Sequence, residues 1–351
     1  MTQPTTPATP AGSGTAEQQR GTEPAAGWRR SRLSRQGVVQ NLVLLGTIVV
    51  LGAIFESINS GYLSLANIDA IGQSAAVVGV LSVVETVVII CGVLDISVGA
   101  QAGVASVISA MSFSSFGSAP ASIFAAIGIG IVLGLVNGLV IVYGRVNSII
   151  ATLGTFSAYK GLALLISGGQ SKGFVLADPF YIFLARGSVL GIPAAVWVFL
   201  IVSALLYVLL IYTDIGRNIY AIGGNDTAAR LAGIDINKYL IAVYVLTGVV
   251  CAIAGILITA SAGSGQQTTG STGLELQAIT AAALGGALLT GGRGGIGGTV
   301  LAVLLISALV NGLTFMQVNS FWQYVAEGAM LIVAVIIQKL RSGERRVGRP
   351  T

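Results

Sequence analysis

From about residue 38 the chain is a succession of long apolar runs separated by short polar interruptions. A helix needs about 20 apolar residues to cross the roughly 30 Å hydrocarbon core of a bilayer. Runs of that kind fall at 38–57, 68–92, 97–113, 121–143, 148–167, 188–212, 239–260, 275–290, 296–316 and 321–339. The third and eighth are short, which predicts tilted or broken helices there. The expected fold class is all-α, a polytopic membrane protein of about ten transmembrane helices. Three regions are expected: a tail over 1–36, a membrane domain over 37–340 and a short polar end over 341–351. The first is rich in Pro, Thr, Ala, Gly and Glu, too poor in aliphatic residues to offset its chain entropy by burial, so disorder is expected. It is also too polar before Val38 for a secretory leader.

Composition agrees with this pattern. Of 351 residues, 54% are hydrophobic and 9% charged, against about 25% charged in ordinary soluble domains; the mean hydropathy is +0.88. With no histidine in the chain, the commonest general base, the Ser-His-Asp arrangement and the HExxH zinc site all fall away. Cys91 and Cys251 stand far apart in apolar runs, which makes neither a disulfide framework nor a zinc knuckle. The sequence contains no GxxxxGK[ST] phosphate loop. Gly292, Gly294 and Gly297 spell GxGxxG, but in a glycine-saturated run after no predicted strand, so no dinucleotide site is read there. No cofactor and no metal are expected, and the chain is not expected to be an enzyme.

The net charge of +5 does not point to nucleic acid. Arg20, Arg29, Arg30, Arg32 and Arg35 precede the first span, and Lys339, Arg341, Arg345, Arg346 and Arg349 follow the last. Basic residues flanking spans orient them and touch anionic headgroups. With both termini cytoplasmic, ten spans place 15 of the 18 basic residues on the cytoplasmic side, including Arg145, Arg217, Arg230, Lys238 and Arg293. The opposite orientation inverts that tally.

An internal echo accompanies the spans. Leu135-Val136-Asn137-Gly138-Leu139 recurs as Leu309-Val310-Asn311-Gly312-Leu313, and upstream of each copy an acid opens a short span, in Leu94-Asp95-Ile96 and Leu274-Glu275-Leu276. The copies fall on spans four and nine and so run in opposite directions, as in the inverted repeats of transporters; chance similarity between Leu/Val-rich helices is the alternative. Gly130, Gly134 and Gly138 lie on one helix face, where small residues let membrane helices approach closely.

Acids within spans are expensive unless solvated or paired. Glu85, Asp95, Glu275 and Glu327 are the candidates: Asp95 and Glu275 as caps of broken helices or pathway lining, Glu85 and Glu327 as lining or as partners of Lys160. Asn137, Thr152, Thr155, Asn311 and Gln317 offer amides and hydroxyls to a neutral solute, or hydrogen bonds between helices. The longest internal polar segment, 213–238, contains a short predicted helix that opens near Asp226, where the helix dipole favours an acid, and ends at Gly233. Such a helix suits docking into a partner.

The run from Gly216 to Ile234 strongly resembles the coupling-loop region of monosaccharide ABC importer permeases of the ribose, xylose and arabinose type. These belong to a wider branched-chain-type permease superfamily. Asp95-Ile96-Ser97-Val98-Gly99, Ile150-Ala151-Thr152-Leu153-Gly154-Thr155 and the segments Leu284-Gly285-Gly286 and Gly291-Gly292-Arg293-Gly294 are similar to further patterns of that family. The resemblance implies a multi-pass permease subunit in a bacterial inner or plasma membrane. Its implied partners are a cytoplasmic ABC ATPase, an extracytoplasmic binding protein that delivers the sugar, and a second permease subunit, identical or related. It also implies that Asp226, Ala228, Ala229, Arg230 and Gly233 form the loop that docks into the ATPase, with Asp226 standing where Glu is common. Gln277 stands where the family often has an acid. For the translocation path or helix breaks the residues to examine are Asp95, Asn137, Thr152, Glu275 and Asn311. The alternatives are an ABC permease for another solute, such as a branched-chain amino acid or nucleoside, and an ion-coupled secondary transporter working through the membrane acids. The Ile222-Gly223-Gly224-Asn225 approach to the loop favours the sugar branch.

Overall fold

A computed structural model describes residues 35–173, 175, 178–267 and 273–342. The expected tails lie outside these residues except at their inner edges, which are helical. In chain order the elements are α1 (Arg35–Ile58), α2 (Leu65–Ile90), α3 (Val98–Phe116), α4 (Ala119–Val142), α5 (Ser148–Ser167), α6 (Pro179–Arg186), a two-residue hairpin of β1 (Ser188–Val189) and β2 (Ile192–Pro193), α7 (Ala194–Tyr212), α8 (Asp214–Gly224), α9 (Asp226–Leu231), α10 (Ile236–Ala262), α11 (Leu274–Leu284), α12 (Ile296–Phe315) and α13 (Ser320–Ser342).

Each of the ten predicted runs contains a helix, and the chain is an all-α, multi-pass membrane protein. Among the described residues α1, α2, α4, α5, α7, α10 and α12 are long and apolar enough to cross a bilayer. The third predicted span is full length in α3, whereas the eighth is only the 11-residue α11, stopped at Gly285-Gly286, where Gly286 takes φ +99. The sixth begins later than expected, because Leu190 and Gly191 turn at positive φ and Pro193 precedes the first helical residue. The short helix expected near Asp226 is α9, whereas the short helices α6 and α8 were not foreseen. Of these, α6 opens on Asp178, whose carboxylate accepts from Phe180 N at 2.8 Å, followed by a proline at the first helical position, where its missing N–H is no loss.

The inverted repeat expected from the Leu-Val-Asn-Gly-Leu echo extends over four helices. Helix α4 packs on α10 as α12 packs on α2; α3 meets α10, α4 and α5 as α11 meets α2, α12 and α13. The connections repeat as well. Arg145 (φ 53) and Gln317 (φ 56) are both left-handed, and each precedes a Val-Asn-Ser triplet. In both, the asparagine caps the next helix: Asn147 accepts from Ile149 N and Asn319 from Phe321 N, each at 2.9 Å. With the 19-residue α3 counted as a crossing, as the ten-span expectation has it, five segments (α2, α3, α4, α5 and α7) separate the starts of α2 and α10, which sets the two quartets in opposite senses.

The glycine stripe on α4 is a crossing point. A Cβ built on Gly130 would strike the carbonyl of Gly248, one on Gly134 the carbonyl of Tyr244, and one on Gly248 the carbonyl of Gly130. Backbone touches backbone, so no side chain can yield. Overpacking of this kind costs about 1–3 kcal/mol. Gly134→Ala is therefore expected to lower the melting temperature of the detergent-solubilised protein, while Gly128→Ala on the same helix, with nothing within 4 Å of its Cβ, leaves it unchanged. Equal melting temperatures for the two variants would refute this close crossing.

Candidate functional site

The chain between α2 and α3, residues 91–97, leaves helical geometry and then turns back into the bundle. Cys91, Gly92 and Val93 N–H still bond back to carbonyls of α2, but from Leu94 to Ser97 the N–H groups have no helical partners and lipid supplies none, so side chains must satisfy them. Glu85, on α2, accepts from Asp95 N at 3.2 Å; Thr152, on α5, accepts from Ile96 N at 3.2 Å; Tyr244, on α10, donates to Leu94 O at 3.1 Å. Asp95 is the hub. Its Oδ1 accepts from Ser97 N at 2.8 Å and from Ser97 Oγ at 2.5 Å, and its Oδ2 accepts from Gln101 Nε2 at 2.9 Å and Asn137 Nδ2 at 3.3 Å. Tyr159 on α5 closes the network by donating to Asn137 Oδ1 at 3.0 Å. Glu85, Asp95, Ser97, Gln101, Asn137 and Thr152 are all fully buried.

Of the residues singled out in the sequence, Asp95, Asn137, Thr152 and Glu85 thus come together, but as an interior brace and not as the wall of an open path. Asp95 folds back onto Ser97, the residue that precedes α3, and does not cap the helix directly. Gln101, Tyr159 and Tyr244 complete the network and were not foreseen. Gln101 carried a signal, one helical turn beyond Ser97; a tyrosine inside an apolar helix carried none.

Glu275 and Asn311 lie elsewhere. Glu275 is in the first turn of α11, behind Gly273, and is buried; it forms no ion pair with Lys160 on α5. Asn311 accepts from Asn67 Nδ2 at 3.1 Å, joining α12 to α2. Glu327 does not pair with Lys160: its Oε1 accepts from Gln277 Nε2 at 2.5 Å.

An open cavity of about 600 Å³ lies where the second break, between α10 and α11, meets the first half of α2. Gln73 and Ser74 of α2, Ser261 of α10, Gln266 and Gln277 supply its polar lining. Val77, Val78, Ile258 and Leu274 supply apolar wall. Except for Gln277, none of these residues stood out in the sequence, because single amides and serines near helix ends look like ordinary interfacial positions.

A second candidate site lies at the opposite end. Helix α8 starts at Thr213, whose hydroxyl accepts from Gly216 N at 3.2 Å, and buries Ile219 and Ile222. Asn225 then breaks the helix and caps α9 by accepting from Ala228 N at 2.9 Å, and Gly233 ends it at φ +84. Ala228 and Arg230 are exposed and Ala229 is buried, so Ala229 supports α9 from beneath and presents nothing outward. The outward apolar residue is Leu231, 85% exposed. Helix α8 is pressed onto the end of α2. A Cβ on Gly223 would strike the carbonyl of Ile90, Gly292 N donates to Ile90 O at 2.9 Å, and Tyr220 donates to Gly294 O at 2.9 Å. Beyond α9, Lys238 pairs with Asp235 at 3.1 Å, and its hydrogen bond, more than any other influence, holds the Asp235 carboxyl below the usual range.

Comparison with known proteins adds an independent line. The family model described as branched-chain amino acid transport system / permease component matches residues 67–335. The ribose import permease protein of Escherichia coli K12 is 34% identical over 292 residues, 83% of this chain and 91% of that one. That of Bacillus subtilis strain 168 is 36% identical over 313 residues, 89% and 97%. The L-arabinose ABC transporter permease protein of Azospirillum brasilense is 31% identical over 316 residues, 89% and 92%. No solved structure matches the chain.

Replacing Asp95 strands the donors it gathers, at about 1–3 kcal/mol for each buried group left unsatisfied. Asp95→Leu is expected to melt well below wild type, with amide exchange accelerated over residues 92–101. Thr47→Val, on the exposed side of α1, where the hydroxyl bonds only within its own helix, is expected to change neither. Unchanged protection in Asp95→Leu would remove the carboxylate from its role as hub.

Proposed function

With more than half its length matched, the chain belongs to the branched-chain amino acid transport system / permease component family, and on that premise we propose that it is the membrane-spanning subunit of an ATP-binding-cassette importer carrying a monosaccharide. A cytoplasmic ATPase supplies the energy, an extracytoplasmic binding protein delivers the sugar, and a second permease subunit completes the pore. The location is a bacterial inner or plasma membrane, with both termini in the cytoplasm. The chain carries no phosphate loop of its own, which is consistent with hydrolysis on a partner.

The observation that carries this reading is the loop 213–235. It holds a six-residue helix with exposed Ala228, Arg230 and Leu231, standing on a rigid base where Gly223, Ile90 and Gly292 meet backbone to backbone. Ala228, Arg230 and Leu231, all exposed, are the face this reading offers to the ATPase. Ile90 stands four residues before Leu94, and Gly92 lies against Gly223, so a push on α9 reaches the Asp95 brace through the end of α2 and the short turn that follows it. Relatives named as ribose and arabinose permeases support a monosaccharide as cargo. An ion-coupled carrier fits less well, since Asp95 is fully engaged by hydrogen-bond donors.

The test is co-purification with the cognate ATPase. Leu231→Glu and Ala228→Glu change side chains that touch solvent, so folding should persist while ATPase capture and solute-stimulated hydrolysis fall at least tenfold; Asp226→Asn should fall less. Gly233→Val, forced into a left-handed conformation, should weaken docking by distorting the end of α9. Solute uptake by wild type into vesicles without any ATPase, driven by an ion gradient, would overturn the proposal.

A further inference from the structure

The cavity between α2, α10 and α11 has the chemistry of a binding site, and the two repeats differ at this point. Gln101 and Gln277 are each the fourth residue of the helix that follows a break, and each gives its amide N–H to a partner oxygen, Gln101 to Asp95 and Ser97 and Gln277 to Glu327. In the first repeat the space around the glutamine is filled: Gln101 is fully buried behind Asn137, Tyr159 and Tyr244. In the second repeat it is open, about 600 Å³, within the ~300–1,000 Å³ range of small-molecule clefts. The same structural position has been closed in one half and hollowed in the other.

Among the described residues, every polar side chain in the lining is neutral: Gln73, Ser74, Ser261, Gln266 and Gln277. Amides and hydroxyls spread over three helices and one loop can exchange hydrogen bonds with a molecule carrying hydroxyls on several sides. They offer nothing to neutralise an ammonium or a carboxylate, and a charge taken from water without a counter-charge is costly. Gln277 is further specified by Glu327. With one amide N–H given to the carboxylate, its orientation is fixed, and its carbonyl oxygen and second N–H remain for a hydroxyl. With the cytoplasmic orientation proposed above, the cavity opens toward the side on which a binding protein docks.

We propose that this cavity is the entry site for a neutral polyhydroxylated solute, that its neutral lining rejects zwitterions, and that Glu327 is a positioning residue for Gln277. The proposal rests on the importer reading only for the direction of entry; the cavity and its chemistry are independent of the ATPase.

The experiment exploits the burial of both native cysteines, Cys91 and Cys251, which leaves a quiet background. Gln73→Cys, in the full chain reconstituted in nanodiscs, is treated with a water-soluble maleimide with and without excess D-ribose or L-leucine. Labelling slowed at least threefold by ribose and not by leucine is the expected result. Protection by leucine alone, protection by both, or labelling that neither slows overturns the assignment, as does a cysteine at 73 that is not labelled at all.

In the assembled importer, Gln277→Leu is expected to reduce solute transported per ATP hydrolysed about tenfold, the scale of a hydrogen bond or two. Glu327→Gln keeps an acceptor for Gln277 and should restore at least half of wild-type flux, whereas Glu327→Leu should behave like Gln277→Leu. Equal flux in Glu327→Gln and Glu327→Leu would refute the positioning role. If the ATPase fails to co-purify with wild type, the importer reading falls while ribose protection of residue 73 still stands or falls by itself.

Discussion

A broken helix inside a membrane leaves backbone donors and acceptors with no water to receive them, and the whole first repeat is arranged around meeting that demand at residues 91–97. Asp95 gathers Ser97, Gln101 and Asn137; Glu85, Thr152 and Tyr244 take the backbone groups on either side of it. These partners come from α2, α3, α4, α5 and α10, so the polar hub fixes the relative positions of five helices whose apolar surfaces alone would pack in many registers. Within lipid the hydrophobic effect does not choose between helix arrangements. Close glycine crossings and satisfied polar groups do, and here both converge on α4 and α10.

The two repeats show how one architecture serves two purposes. Their contacts and their turns correspond closely, down to a left-handed residue and a capping asparagine before α5 and α13. Their interiors do not correspond. The first break is filled with buried, hydrogen-bonded side chains; the second borders an open cavity whose described polar lining is neutral. A pathway that opens from one side of a pseudo-symmetric bundle needs such an inequality, and the side chains supply it without any change in the helical frame. The glycine contact between α8 and the end of α2 then places the outward-facing loop in mechanical contact with the filled half.

Much of this frame was legible in the order of residues because apolar run length is a strong signal in membrane proteins. All ten runs hold helices, and the acid-bearing breaks fell where Asp95 and Glu275 stand. Helices α6 and α8 were harder to see because they are short and lie beside longer runs that dominate any reading by length. The hub was legible only in part. Asp95, Asn137 and Thr152 stand out as polar groups in apolar surroundings, but nothing local indicates that they meet, since the chain separates them by whole spans. Tyr159 and Tyr244 were hidden altogether, because a tyrosine is as much at home in a greasy helix as in a network, and only the fold decides which. Ala229 shows the converse: the loop it was assigned to is there, but which of its residues face solvent was not legible, and Ala229 is buried while Leu231 is exposed.

Tyr244 and Gly248 belong to α10, far along the chain from the break and the helix they close against. When α2 to α5 first leave the ribosome and enter the bilayer, Leu94 O has no tyrosine to bind and the small face of Gly130 and Gly134 has no backbone to meet. The first repeat is therefore incomplete during synthesis, with an unsealed polar seam in its middle, until α10 is inserted after α8 and α9 have emerged. Assembly of the bundle is thus ordered by the direction of translation. A ribosome stalled before α10 would leave a membrane intermediate that the cell's quality-control proteases should recognise by that seam.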